Sequence, residues 1–231
     1  MKIGIIGAGN IGGALTRRLT ELGHHVSVAN SRGPETLADL AEETGATAVT
    51  VAEAASGADV LVVTIPQNAV PALPDDLLAG AKDDLVIVDT GNYYPQHRDG
   101  RIGGIEDGLT ESGWVEQQLG HPVVKAFNNI YAQHLLEHGK PAEAPGRIAL
   151  PVAGDDEAAK AVVLRLVDEL GFDGVNAGRI EDSWRQQPGS PVYAADLDEE
   201  GVRRALTEAT QGRAPEWRAT ENSPGNFIEP A

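Results

Sequence analysis

The chain has 231 residues, no cysteine, and 35 acidic against 18 basic side chains, for a formal charge of -17 at pH 7. That length buries a substantial core but is short for two large domains, and the missing thiols exclude disulfides, thiolate catalysis and Cys-held metal clusters, so redox work falls to a bound organic cofactor. The acidity excludes a nucleic-acid partner, and with no apolar run long enough for membrane insertion and no signal peptide before the first strand the expected location is cytoplasmic.

Met1 to Ile6 is apolar apart from Lys2 and reads as a strand buried on both faces. Gly7-Ala8-Gly9-Asn10-Ile11-Gly12 follows and opens a helix in which Ile11, Leu15, Leu19 and Leu22 recur at helical spacing, with Gly23 as its stop. In such a turn Gly7 allows the tight bend, Gly9 lets the backbone approach a pyrophosphate, and Gly12 lets the helix pack on the strand. The anion then rests on the helix N-terminus.

The second strand, His25 to Asn30, ends where dinucleotide enzymes choose their cofactor. An Asp or Glu there would accept from a ribose 2′-hydroxyl and repel a 2′-phosphate. This chain has Asn30 and Ser31 as neutral polar groups, Arg32 as a planar fork suited to phosphate, and Gly33-Pro34 starting a helix. The pattern specifies NADP(H) over NAD.

Further strands are predicted at Thr47–Val51, Asp59–Ile65, Leu85–Thr90 and Pro122–Phe127, alternating with helices as in a Rossmann-type, doubly wound, mostly parallel α/β sheet. Their polar ends, Thr64-Ile65-Pro66-Gln67-Asn68, Asp89-Thr90-Gly91-Asn92 and Asn128-Asn129, are expected to converge on one crevice at the nicotinamide end. Residues 1–145 thus read as an NADP-binding domain and 146–231 as a small C-terminal α/β extension. The extension has a strand from Arg147, a helix from about Asp156 to Leu170 and a strand near Phe172 to Ala177. Residues 182–193 hold Trp184, Gln186, Ser190 and Tyr193 and read as a ligand-binding loop, a structural connector or a dimer contact. The stretch after Gln211 reads as a loosely held tail.

His134-Leu-Leu-Glu-His138 matches the H-x-x-E-H pattern of zinc peptidases. The helix ends at once in Gly139-Lys140-Pro141, where histidines suit a C-terminus, so no metal site is expected. His24, His25, His97 and His121 show no pairing that suggests nucleophilic catalysis.

GIIGAGNIGGAL, ANSRGPETL, VVKAFNNIYAQHL and SWRQQPGSPVYAADLD, spread over nearly the whole chain, resemble the NADP-dependent reductases of coenzyme F420, an 8-hydroxy-5-deazaflavin. The cytosolic, NADPH- and flavin-binding domain of membrane metalloreductases is similar. The resemblance implies hydride transfer between NADP(H) and a deazaflavin or flavin stacked on the nicotinamide, with no general acid required. It implies that Gly7, Gly9, Asn10 and Ile11 line the pyrophosphate, Ser31 and Arg32 the 2′-phosphate, and Thr64, Pro66 and Asn68 the nicotinamide side. Asn128, with Asn129 and residues 184–193, would face the second ring. The family pattern often carries Thr where this chain has Asn129. The anionic oligoglutamate tail of F420 would need Lys125, Arg147, Arg179 and Arg185 to gather; failing that, a flavin or quinone-like acceptor fits better. Partners are expected to be small-molecule cofactors, with a homodimer as candidate assembly. Two other readings stand beside this one: an NADPH-dependent reductase of a small carbonyl or imine, with Lys125 or Tyr131 as donor, and a non-catalytic NADPH-binding regulator.

Overall fold

The computed structural model describes residues 1–227. Strands β1 (Lys2–Ile6), β2 (His25–Ala29), β3 (Thr47–Ala48), β4 (Val60–Val63), β5 (Val86–Asp89) and β6 (Val123–Lys125) form one parallel sheet in the order β3-β2-β1-β4-β5-β6. The helices are α1 (Asn10–Glu21), α2 (Ala38–Thr44), α3 (Val51–Ala54), α4 (Gly103–Glu106), α5 (Glu111–Leu119), α6 (Ala132–Glu137), α7 (Glu157–Glu169) and α8 (Glu199–Glu208). Because helices cover both faces, β4 and β5 are buried at every position, as Val/Ile/Leu runs broken only by Asp89 at the end of β5. The strand order reverses between β1 and β4, where Ile3 pairs with Val60 and Ile6 with Val63. Ligands of open α/β sheets bind at such a reversal, beyond the carboxyl ends of the strands.

On one face Leu15 and Leu19 of α1, Leu135 of α6 and Val163, Leu166 and Val167 of α7 pack with Ile3, Ile5, Val62 and Val88. On the other, Ala54, Trp114 and Val115 pack with Ile6, Leu61, Val63 and Ile87. Leu22, expected in the stripe of α1, is 41% exposed because it is the C-cap residue, one step past the last turn. The expected third strand shortens to two residues because Thr50 and Glu53 close a capping box that starts α3.

Strands β7 (Ala149–Val152) and β8 (Asp173–Asn176) form a second, parallel pair. It joins the main sheet through an antiparallel bridge in which Lys125 and Ala153 exchange hydrogen bonds of 2.8 and 3.1 Å. The stretch after Gln211 is not loose in its described part. Arg213 pairs with Glu111, Arg218 Nε donates to Glu106 Oε2 at 3.2 Å, and Ala219 N donates to Glu106 Oε1 at 2.6 Å. The expectation failed because its polar, proline-containing composition hides two arginines whose carboxylate partners lie more than a hundred residues earlier. Residues 228–231, which that expectation also covered, lie outside the described residues. Among the described residues no helix is long and apolar enough to cross a membrane.

Candidate functional site

The turn after β1 is shaped by its glycines. Gly7 has φ 108°, and a Cβ there would stand 2.3 Å from the carbonyl oxygen of Thr64, at the end of β4. A Cβ on Gly12 would meet the Gly7 carbonyl oxygen at 1.8 Å, so α1 leaves the sheet at a distance only glycine permits. A Cβ on Gly9 would meet nothing within 4 Å, leaving open space above the loop. Gly9 is also the N-cap of α1, contributes no capping side chain, and no acidic residue stands in the first turn. The leading amides and the positive end of the helix dipole are therefore available to an anion, and these residues fit a pyrophosphate.

Beyond β2, Asn30 organises the loop that carries Arg32. Its Oδ1 accepts from Arg32 N at 2.8 Å, and its Nδ2 donates to Thr36 Oγ1 at 2.9 Å, while Thr36 Oγ1 donates to the Gly33 carbonyl at 2.8 Å. Arg32 borders a groove of about 970 Å³ whose walls include Gly9, Asn10, Arg17, Thr36, residues 131–134 and Leu136. Two guanidinium groups thus reach this groove. Arg17 is gripped by Glu43 through two 2.7 Å hydrogen bonds, which hold the Glu43 carboxyl below and the Arg17 guanidinium above their ordinary ranges. Among the described residues no carboxylate forms an ion pair with Arg32. Asn10, Gly9 and Arg32 were legible from the motif, whereas Arg17, Thr36 and Tyr131 were not. Gly7 and Gly12 lie beneath the groove and shape it, and Ile11 and Ser31 are not among its wall residues.

The remaining predicted residues form a second polar cluster at the carboxyl ends of β4, β5 and β6. Thr64 is half-buried, with its methyl where a Cβ on Gly12 would collide with it, and Pro66 is exposed. Asn68 Nδ2 donates to the Arg98 carbonyl at 3.0 Å, and Arg98 Nη2 donates to the Asn92 carbonyl at 2.6 Å. Asn128 Nδ2 donates to Asn92 Oδ1 at 3.0 Å and to the Gln186 carbonyl at 2.7 Å, while its Oδ1 accepts from Gln186 Nε2 at 3.0 Å. With both amide hydrogens engaged, Asn128 knits the wall together. Its neighbour Asn129 is 2% exposed, and both polar atoms of its side-chain amide are buried without a partner. Just before them, Phe127 holds φ 61°, a strained value for a buried aromatic residue.

Lys125, a donor candidate from sequence, is fully buried. Its Nζ donates to the Gly91 carbonyl at 2.9 Å and lies 3.4 Å from Glu111 and 3.8 Å from Asp89. Arg213 completes the cluster from the C-terminal segment, bonding Glu111 and, at 3.0 Å, Gln187 Oε1. The other candidate donor, Tyr131, is 54% exposed and borders the same groove as Arg32.

Residues 180–186 form a 3₁₀ helix that buries Gln186, so half of the expected loop is framework. Its far end, Tyr193, reaches the hydroxyl of Tyr94, and Trp217 stands 6.0 Å from Tyr94 and 6.4 Å from Tyr193 between ring centres. Burial, above all, pushes both tyrosine pKa values up. The four cations proposed to receive an anionic tail do not form a free patch. Lys125 and Arg147 are buried in ion pairs, Arg179 pairs with Asp155 and Glu181, and Arg185 stacks on Trp184 beside Asp182.

A glycine turn at the reversal point of a 3-2-1-4-5-6 parallel sheet, followed after the second strand by an arginine that no carboxylate pairs among the described residues, is the arrangement of the Rossmann fold. Residues 2–93, less than half of the chain, match the model of the family described as NADP oxidoreductase, coenzyme F420-dependent. Protein SMa0349 of Sinorhizobium meliloti is 30% identical with a TM-score of 0.72, covering 86% of this chain and 96% of that one. A candidate F420-dependent NADP-reductase from Arthrobacter sp. FB24 shares the fold at 24% identity and a TM-score of 0.64, covering 79% of this chain and 87% of that one. Protein YjhV of Escherichia coli K12 is 43% identical over 79 residues, which span 34% of this chain and 58% of YjhV. The family match ends at Tyr93 and stops before β6, Asn129 and the C-terminal segment.

Proposed function

We propose that the chain passes hydride between NADP(H) and a flat second ring of the deazaflavin or flavin class, with residues 1–145 holding the nucleotide and residues 146–231 forming the acceptor side. Arg32, Gly9 and Asn10 would hold the nucleotide's phosphates. Thr64, Pro66 and Asn68 would border the nicotinamide. Asn128 would hold the wall, and Asn129 would offer its amide to the acceptor. The observation that carries this reading is the burial of Lys125 in an ion cluster with Asp89 and Glu111, which removes the candidate acid from the crevice. The bound cofactors supply donor and acceptor of hydride; the chain's residues need only align the rings and exclude water. Because each candidate cation for an oligoglutamate tail already faces a carboxylate, a flavin or a short-tailed deazaflavin fits better than full-length F420.

A second reading rests on one observation: burial keeps Tyr94 and Tyr193 protonated side by side, and such hydroxyls can donate to a carbonyl or imine as hydride arrives. NADPH oxidation assayed in parallel with F420, its tail-less deazaflavin, FMN, and small carbonyls and imines separates the two. Turnover with the ring acceptors, retained in Tyr193→Phe, supports the first. Turnover confined to carbonyls or imines and lost in Tyr193→Phe replaces it with the second.

A further inference from the structure

The geometry points to a divalent transition-metal site, built by His134, His138 and Asp196, that fastens α6 to the chain entering α8. Two histidines one turn apart are common on helices and mean little alone. The fold adds what the sequence did not show, a carboxylate from a distant segment. One nitrogen from each imidazole and one oxygen of Asp196 all lie within 4.8 Å of one another. Metal bonds of roughly 2.0–2.2 Å bring such atoms onto one ion after small side-chain rotations. The two rings are stacked, 4.4 Å between centres and 16° from parallel, so their nitrogens stand side by side.

The His134–Asp196 contact supports the same inference. Nδ1 of His134 is 2.7 Å from Asp196 Oδ2, yet the approach is too poorly directed for a hydrogen bond, and this buried nitrogen has no other partner. A cation accepted by both atoms satisfies them without that alignment. His138 is the C-cap of α6, and the negative end of a helix adds to the attraction for a cation. Neighbouring groups do not compete. Glu137 is bonded by Gln133 at 3.3 Å, Asp198 caps α8 through Gly201 N at 2.8 Å, and Tyr131 meets His134 only by ring edge. Two imidazoles and one carboxylate select a zinc-class ion over calcium or magnesium. Since Glu137 faces Gln133, the arrangement is a staple and not the peptidase centre its motif suggests. His134 also borders the nucleotide groove, so the ion would stiffen one wall of it.

The test uses tag-free, chelator-stripped protein titrated with Zn²⁺ by calorimetry and with Co²⁺ by visible absorption. The expected result is one ion per chain, a cobalt band characteristic of low coordination number, and a zinc-dependent rise in Tm. His138→Ala and Asp196→Ala, both at exposed positions, should keep the metal-free Tm and weaken binding more than about tenfold, the least that losing even an outer-shell partner costs many sites. Absence of saturable binding at one equivalent overturns the site. So does unchanged affinity in Asp196→Ala, which reduces it to a surface histidine pair.

Discussion

Arg17 and Arg32 border the same groove, but only one of them has its charge in reserve. Glu43 holds Arg17 through two hydrogen bonds, whereas Arg32 is held only by its backbone amide on Asn30 and keeps its guanidinium free of carboxylates among the described residues. A 2′-phosphate arriving beyond β2 therefore gains most from Arg32. Arg32→Glu is expected to lower NADPH affinity by about one to two orders of magnitude, roughly 1.5–3 kcal/mol, because a charge-assisted contact becomes a repulsion. NADH affinity, titrated in parallel by fluorescence, should change little. An equal loss for both nucleotides would mean that Arg32 holds the loop and not the phosphate.

Elements distant in sequence meet where Tyr94, Tyr193 and Trp217 come together. The first follows β5, the second precedes α8, and the third lies on the segment anchored by Arg213 and Arg218. Burial is the main reason both hydroxyls hold their protons above the ordinary tyrosine range, and for Tyr193 the bond to Tyr94 pushes the same way. In the unfolded chain both ionise near pH 10. The folded state thus keeps its full advantage below that pH and loses it as pH rises from about 10 toward the higher folded-state values, since only the unfolded chain then releases protons. Equilibrium unfolding followed from pH 8 to 11 should show stability falling above pH 10. The fall should be shallower in Tyr193→Phe, which has one such proton fewer. Identical alkaline slopes in both proteins would show that the pair does not govern the loss.

At the scale of the whole molecule, the sheet and the glycine turn beside the groove were legible because their signals are local: buried Val/Ile runs and a glycine turn that only close packing explains. The polar cluster beyond β4, β5 and β6 was not, because its groups acquire meaning from partners far along the chain. Lys125 reads as a donor candidate until Asp89 and Glu111 close around it, the H-x-x-E-H helix reads as a solvated end until Asp196 arrives, and the last segment reads as a tail until Glu106 and Glu111 receive its arginines. Charge belongs to this scale as well. Seventeen excess negative charges repel one another more in the compact state than in the expanded chain. Salt also screens exposed pairs such as Arg17–Glu43 and Arg203–Glu199, but such exposed pairs add little to stability, and the buried cluster around Lys125 is hardly screened. Relief of the overall repulsion should win. Tm measured between 0.05 and 0.5 M NaCl, roughly the range over which the Debye length falls from above 10 Å to a few ångströms, should rise with salt. Chloride is the salt to use, because sulfate would add stabilisation by exclusion from the surface. A flat or falling Tm would mean that the local pairs, and not the net charge, set the salt response.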